Sequence, residues 1–268
     1  MQNMGNREMD PSLIADLGDE LWRALGSGIT VEPLSTRYEA LSVEDAYRIQ
    51  QRLIERQVSA GARVVGKKIG VTSDAVMQLL NVHQPDFGYL LDTMLRDEGA
   101  PIDTSKLIQP KAEGEIAFVL KHDLTGPGVS VADVLRATEG VLVCFEIVDS
   151  RIRDWKIRIQ DTVADNASCG LFVLGSQFVD PRSLDLRTCG MLLEKNGAVV
   201  ATGAGAAALN SPANAVAWLA NTLGRLGVPL KAGEVILSGS LGTMVQVKAG
   251  DNLHVSIGGI GQCSARFV

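Results

Sequence analysis

Gly190-Met-Leu-Leu-Glu-Lys195-Asn196-Gly197-Ala198-Val-Val-Ala-Thr202 reads as two strands joined by a two-residue turn. Asn-Gly accepts the positive φ values of a type I′ hairpin, which makes this the strongest hairpin signal in the chain. Outward from it, short β-branched runs at 64–69, 113–120, 141–148, 171–175, 234–238 and 252–257 are separated by glycine, proline and asparagine. That is the texture of a sheet-rich body with few helices. The strands do not alternate with helices of crossover length, which argues against a Rossmann fold or a TIM barrel. The expected class is α+β, built on a mixed or antiparallel β-roll or sandwich. Thr202-Gly203-Ala204-Gly205-Ala206 lacks the third glycine of a dinucleotide loop and follows a hairpin strand, so its glycines are read as close backbone packing.

The first sixty residues have a different, helical texture. Asp10-Pro11 supplies a capping side chain and a first-turn proline, and Ile14, Leu17, Leu21 and Leu25 recur at helical spacing until Gly26 and Gly28. Ser42, with Asp45 three residues on, opens a second helix through Leu53 and Ile54 to Gly61. Later helices are expected after Ser130 and after Ser211-Pro212. The expected organisation is a helical segment at 1–60 followed by a β-rich body at 61–268, together one structural unit.

Composition removes several classes of function. The net charge of −6 comes without a basic block, so no footprint for nucleic acid or an anionic membrane is visible. Met1–Asp10 lacks the charged-then-apolar layout of a leader, and no apolar run approaches the ~18 residues of a membrane span, so the expected address is cytoplasmic. Cys144, Cys169, Cys189 and Cys263 show no metal-ligand spacing and are read as reduced and mostly buried. His83, His122 and His254 lie too far apart in sequence for a histidine-rich zinc site, so oxygen must hold any metal.

In Lys111-Ala-Glu113-Gly-Glu115-Ile-Ala-Phe-Val-Leu120, the period of two puts Glu113 and Glu115 on one face and Ile116, Phe118 and Leu120 on the other. A bare Glu-x-Glu also describes a solvated strand. Glu146 adds weight because it interrupts Val141-Leu-Val-Cys-Phe-Glu-Ile-Val148, a run that reads as buried on both faces. A carboxylate there must be paired, protonated or bound to a cation. Spacing leaves two partners open: a divalent ion shared with Glu113 and Glu115, or a salt bridge to Lys111 or Arg151. All-oxygen ligation would suit Mg²⁺ or Mn²⁺.

Val64-Val-Gly-Lys67-Lys68-Ile-Gly70 sets Lys68 on the face of Gly66 and Gly70, with room for a ligand beside an ammonium whose proton affinity burial can tune. Lys67, on the opposite face, is read as a surface lysine. Asp86, in the turn-rich His83-Gln-Pro-Asp-Phe-Gly-Tyr89, is either a loop hydrogen-bonder or a catalytic carboxylate. Asp165-Asn166-Ala-Ser168 offers small polar groups that could hold a substrate carboxylate, or simply an Asx-type turn.

Together, Gly66–Thr72, His83–Tyr89, Lys111–Ala117, Phe145–Arg151 and Asp165–Ser168 resemble the 2-keto-4-pentenoate (2-hydroxypenta-2,4-dienoate) hydratases of aromatic meta-cleavage pathways, over nearly the whole chain. The resemblance implies a fumarylacetoacetate hydrolase-like β-roll in which Glu113, Glu115 and Glu146 hold Mg²⁺ or Mn²⁺. It implies Lys68 and Asp86 as catalytic groups, Ser168 and Asn166 near the substrate, and a small 2-oxo or 2-hydroxydienoate acid as that substrate. It further implies a homo-oligomer and a complex with 4-oxalocrotonate decarboxylase. That decarboxylase is the nearest rival activity, and a non-catalytic partner subunit is the rival of another class. The wording around Lys68 and Asp86 is closer to the hydratases.

Overall fold

The computed structural model describes residues 9–268, so most of the stretch behind the leader expectation lies outside the described residues. The chain opens with α1 (Pro11–Ser27), a short α2 (Leu34–Arg37) and α3 (Val43–Ser59). Asp10 accepts from the Ser12 N–H and Gly28, at φ 70°, ends α1 in the left-handed conformation. Ser42 accepts from the Asp45 N–H, as the capping pattern predicted. Leu17, Leu21, Ile49 and Leu53 pack between α1 and α3 and continue onto Ile152, Val163 and Ala164 of the body. Among the described residues no helix is long and apolar enough to cross a membrane.

The body follows as β1 (Val64–Gly70), α4 (Asp74–Leu80), β2 (Asp86–Leu91), β3 (Leu95–Arg96), β4 (Pro101–Ile102), β5 (Lys111–Leu120), α5 (Val131–Ala137) and β6 (Thr138–Val148). Then come α6 (Ile159–Ala164), β7 (Cys169–Leu174), β8 (Gly190–Lys195), β9 (Ala198–Ala204), α7 (Pro212–Gly224), β10 (Val235–Leu237), β11 (Val245–Gln246), β12 (Asn252–Ile257) and β13 (Gly261–Phe267). The larger sheet runs β2-β1-β10-β5-β6-β7-β3, with β11 also on β5, and the smaller runs β4-β13-β12-β8-β9. Both mix parallel and antiparallel pairs, so the α+β roll expected from the hairpin and strand texture is present.

The main core lies where Ile116, Phe118, Val143 and Phe145 of the larger sheet meet Met191, Leu193, Val255 and Ile257 of the smaller. Gly114 lets the sheets approach: a Cβ there would lie 2.7 Å from Met191 Sδ and 2.8 Å from Val255 Cγ2. The Asn196-Gly197 turn has both residues at positive φ, 55° and 80°. Gly203 and Gly205 are packing glycines, since a Cβ at either would sit 1.7 Å from a backbone oxygen. All four cysteines are free and buried.

Three expectations need correction. The 83–89 segment is not wholly turn, because β2 starts at Asp86 and pairs antiparallel with β1; Pro85 and Gly88 disguised it. The final strand, β13, went unread because its inward residues Cys263 and Ala265 are too small to mark a hydrophobic alternation. Lys67 is not at the surface: it is 3% exposed and pairs with Glu234 at 2.5 Å. Glu234 and the Tyr89 ring, centred 5.9 Å from Nζ, are its neighbours on its face of the sheet.

Candidate metal and catalytic site

Glu113 on β5 and Glu146 on β6 are direct cross-strand partners, and Glu115 shares the face of Glu113 two residues on. One carboxylate oxygen from each of the three lies within 4.8 Å of the others. Glu115 and Glu146 are fully buried. Glu115 Oε2 accepts from the Gly239 N–H at 2.8 Å, whereas Glu115 Oε1 and both oxygens of Glu146 have no hydrogen-bond partner among the described residues. Burial, and then the neighbouring Glu146, push the Glu113 carboxyl up to about 7. Burial, Glu146 and Glu113 raise Glu115 well above its ordinary range, and burial raises Glu146 against the pull of Lys68.

Partnerless buried carboxylate oxygens are costly, and a cation among them removes both the desolvation and the repulsion. This donor set therefore fits a hard divalent ion. The salt-bridge partners considered from sequence are both engaged elsewhere. Lys111 Nζ sits 4.2 Å from the centre of the Trp155 ring, and Arg151 is paired with Asp165. The cation that does reach Glu146 is Lys68, at 3.2 Å from Oε1 but without hydrogen-bond geometry. A single ammonium cannot balance three carboxylates.

Lys68 is 3% exposed and donates to the Ala167 carbonyl at 3.1 Å. Burial opposes its charge, but Glu146 and Asp86 outweigh that and raise its proton affinity. Of the two glycines expected to make room beside it, Gly66 is packed against a neighbouring strand, while Gly70 and Lys68 both line a cavity. A Cβ at Gly66 would lie 1.9 Å from the Val235 carbonyl oxygen, and one at Gly70 would lie 2.3 Å from Asp86 Oδ1 and 3.1 Å from Lys68 Nζ. Gly70 thus allows Asp86 and Lys68 to converge. Asp86 is 2% exposed, its Oδ1 has no partner, and burial raises its carboxyl against the attraction of Lys68.

Asn166, Ala167 and Ser168 form a consecutive left-handed turn, with φ 56°, 48° and 53°. Each such L-residue is disfavoured by roughly 1–2 kcal/mol, so surrounding contacts must hold it. Asn166 does so through its amide, which accepts from Tyr89 N at 2.7 Å and donates to Tyr89 O at 2.9 Å. Its side chain is therefore directed at β2, while Ser168 faces the cavity and contacts Asp165 Oδ2 at 3.2 Å.

Lys68, Asp86, Glu113 and Ser168 line one cavity of about 410 Å³, within the size range of small-molecule sites. Sequence reading missed Thr72, Trp155, Ser240 and Thr243 on its polar side and Val76, Leu80, Ile157 and Met244 on its apolar side. It also missed Gly239, which is at φ 100°. The signal available was the Ser238-Gly-Ser-Leu-Gly-Thr243 run directly after a strand, where a backbone can approach a ligand.

The family described as fumarylacetoacetate (FAA) hydrolase C-terminal matches residues 65–268. A 2-hydroxypent-2,4-dienoate hydratase from Pseudomonas putida is 66% identical over 221 residues, covering 82% of this chain and 100% of that one. A 2-hydroxyhexa-2,4-dienoate hydratase from Comamonas testosteroni is 56% identical over 260 residues, covering 96% of this chain and 98% of that one. The solved 4-oxalocrotonate decarboxylase from Pseudomonas putida G7, complexed with magnesium and adipate, is 37% identical with a TM-score of 0.95, covering 98% of this chain and 100% of that one. With the roll, the acidic trio and these matches in hand, the chain belongs to the fumarylacetoacetate hydrolase family.

Proposed function

We propose that the protein is a divalent-metal-dependent lyase that adds water to 2-hydroxypenta-2,4-dienoate, giving 4-hydroxy-2-oxopentanoate. One observation carries the choice over a decarboxylase of the same fold. Among the described residues lining the cavity the only cationic side chain is Lys68, already flanked by Glu146 and Asp86, and the wall beyond is Val76, Leu80, Ile157 and Met244. A substrate with one carboxylate and a neutral tail suits that wall, whereas a second carboxylate would be desolvated there without a counter-charge. The names of the relatives at 66% and 56% identity support the same reading.

Glu113, Glu115 and Glu146 would hold Mg²⁺ or Mn²⁺, which when bound supplies Lewis-acid polarisation of the substrate's 2-oxygen. Lys68 Nζ, fixed by the Ala167 carbonyl, carries the proton that passes from the 2-hydroxyl to the terminal carbon as the dienol ketonises. Asp86 Oδ1 takes a proton from the water that adds at the carbon two bonds from the new carbonyl, and returns it to the carbon between the two as the enolate reverts to the ketone. Ser168 Oγ binds the substrate from the cavity wall, and Asn166 supports it through the turn.

Four buried free thiols support a reducing, cytoplasmic address. The edge strand β9 exposes Val199 and Val200 and carries no charge or proline, which supports self-association into a homo-oligomer. Association with a 4-oxalocrotonate decarboxylase, implied by the family resemblance, is testable by co-purification.

The deciding assay gives purified protein and Mg²⁺ each of the two substrates. Loss of dienol absorbance with formation of the hydroxy-oxo acid is the expected result. Rapid carbon dioxide release from 4-oxalocrotonate without hydration would replace this reading with the decarboxylase.

A further inference from the structure

Arg151 is 2% exposed, yet it does not line the cavity and donates to none of the three glutamates. A guanidinium cannot lose its charge, and burying one is unfavourable unless its donors are satisfied. Here they are satisfied by Asp165 and Cys169, the two ends of one short segment, together with the Asp149 carbonyl. Nε and Nη2 bind the carboxylate and the carbonyl of Asp165, and Nη1 binds the carbonyls of Asp149 at 2.7 Å and Cys169 at 2.9 Å. Asp165 Oδ2 accepts from Arg151 N at 3.0 Å, Ser150 Oγ at 3.1 Å and Ser168 Oγ at 3.2 Å.

The residues between those anchors, 166–168, are the consecutive left-handed ones. Their unfavourable conformation has one consequence inside the cavity: it aims the Ala167 carbonyl at Lys68 Nζ and brings Ser168 to the wall.

We propose that Arg151 and Asp165 are positioning residues, which hold the 166–168 turn in its strained form so that the Ala167 carbonyl fixes the Lys68 ammonium beside the substrate. The proposal rests on the reading of Lys68 as the proton carrier. Neither residue touches substrate. Their main effect falls on the rate of the proton transfer, because misplacing a reacting group by about 1 Å is enough to lower a rate on the order of a hundredfold; Ser168, held by the same turn, adds a smaller loss of substrate capture.

The test is a mutant cycle on the full-length, metal-loaded protein. Asp165→Asn keeps the side-chain shape but weakens the Arg151 anchor. It is expected to lower kcat at least roughly tenfold, with a smaller rise in KM through Ser168. Ala167→Gly is the second-site change, because glycine adopts positive φ without strain and needs less anchoring. Adding it to Asp165→Asn should restore part of the lost kcat, judged against Ala167→Gly alone. A merely structural network would give no such selective rescue. Should Asp165→Asn fail to fold, Arg151→Lys takes its place in the cycle. A folded anchor variant with wild-type kcat, or a loss that the glycine leaves untouched, overturns the proposal. Full activity in Lys68→Gln would instead overturn the reading beneath it.

Discussion

Glu113 and Glu146 face each other across the β5–β6 ladder, where like charges ordinarily destabilise a sheet. Glu115 adds a third carboxylate on the same face. The body of the protein is thus built around a repulsion that a cation relieves, and the first two predictions measure that repulsion.

Glu115→Gln retains an acceptor for the Gly239 N–H and removes one negative charge from the cluster. Divalent-ion affinity should fall by roughly a hundredfold or more, exceeding the ~10–100-fold typical of groups outside the ligand shell. In chelator, the same variant should melt no lower than the parent. Titration calorimetry and melting curves read both quantities, and undiminished affinity would remove Glu115 from the site.

Proton competition sets the pH dependence. The folded Glu113 carboxyl is raised to about 7 from an ordinary 4.5, so the metal-free fold binds a proton that the unfolded chain releases earlier. The sign follows from linkage: metal-free stability declines as pH rises from about 4.5 through about 7, and metal binding displaces the proton. The melting-temperature gain from saturating Mg²⁺ should therefore grow between pH 6 and pH 8. A gain that stays flat across that range contradicts the assignment.

Gly70→Ala places a methyl group 2.3 Å from Asp86 Oδ1 and 3.1 Å from Lys68 Nζ. The two side chains must separate. Turnover should drop about ten- to hundredfold, with a much smaller change in KM. Wild-type turnover would show that the closeness of Lys68 and Asp86 is dispensable.

On the other face of β1, the Lys67–Glu234 pair predicts an asymmetry. Glu234→Gln leaves an ammonium that is 3% exposed without its carboxylate, and should cost about 3–5 kcal/mol in urea denaturation. Lys67→Met should cost less, because Glu234 Oε2 keeps the Lys231 N–H and its side chain is less buried. Equal losses would refute the asymmetry.

What the sequence disclosed depended on whether a signal was local. The Asn196-Gly197 turn, the caps at Asp10 and Ser42 and the period-two placement of Glu113 and Glu115 are local, and all three were readable. Glu146 was legible as a buried acid, but its nearest cation, Lys68, comes from a strand far away in sequence. Arg151 was read as a possible partner of Glu146 because the two are close in sequence, yet it serves Asp165. The burial of Lys67 depends on Glu234 and Tyr89 lying beside it, and the strand at Asp86 on its pairing with β1; pattern alone encodes neither. The apolar wall of the cavity gathers from α4, Ile157 and Met244, whose convergence is a product of the fold.

Gly114 stands between two of the cluster's glutamates and has only hydrogen to set against Met191 and Val255. The Met191 and Val255 side chains of the smaller sheet therefore rest directly on the strand bearing those acids. Met191 can give way, but the β-branched Val255 cannot easily do so, and a shift of that sheet would reach the spacing of the oxygens through it. Val255, which is outside the cavity, thereby braces the acidic cluster from behind.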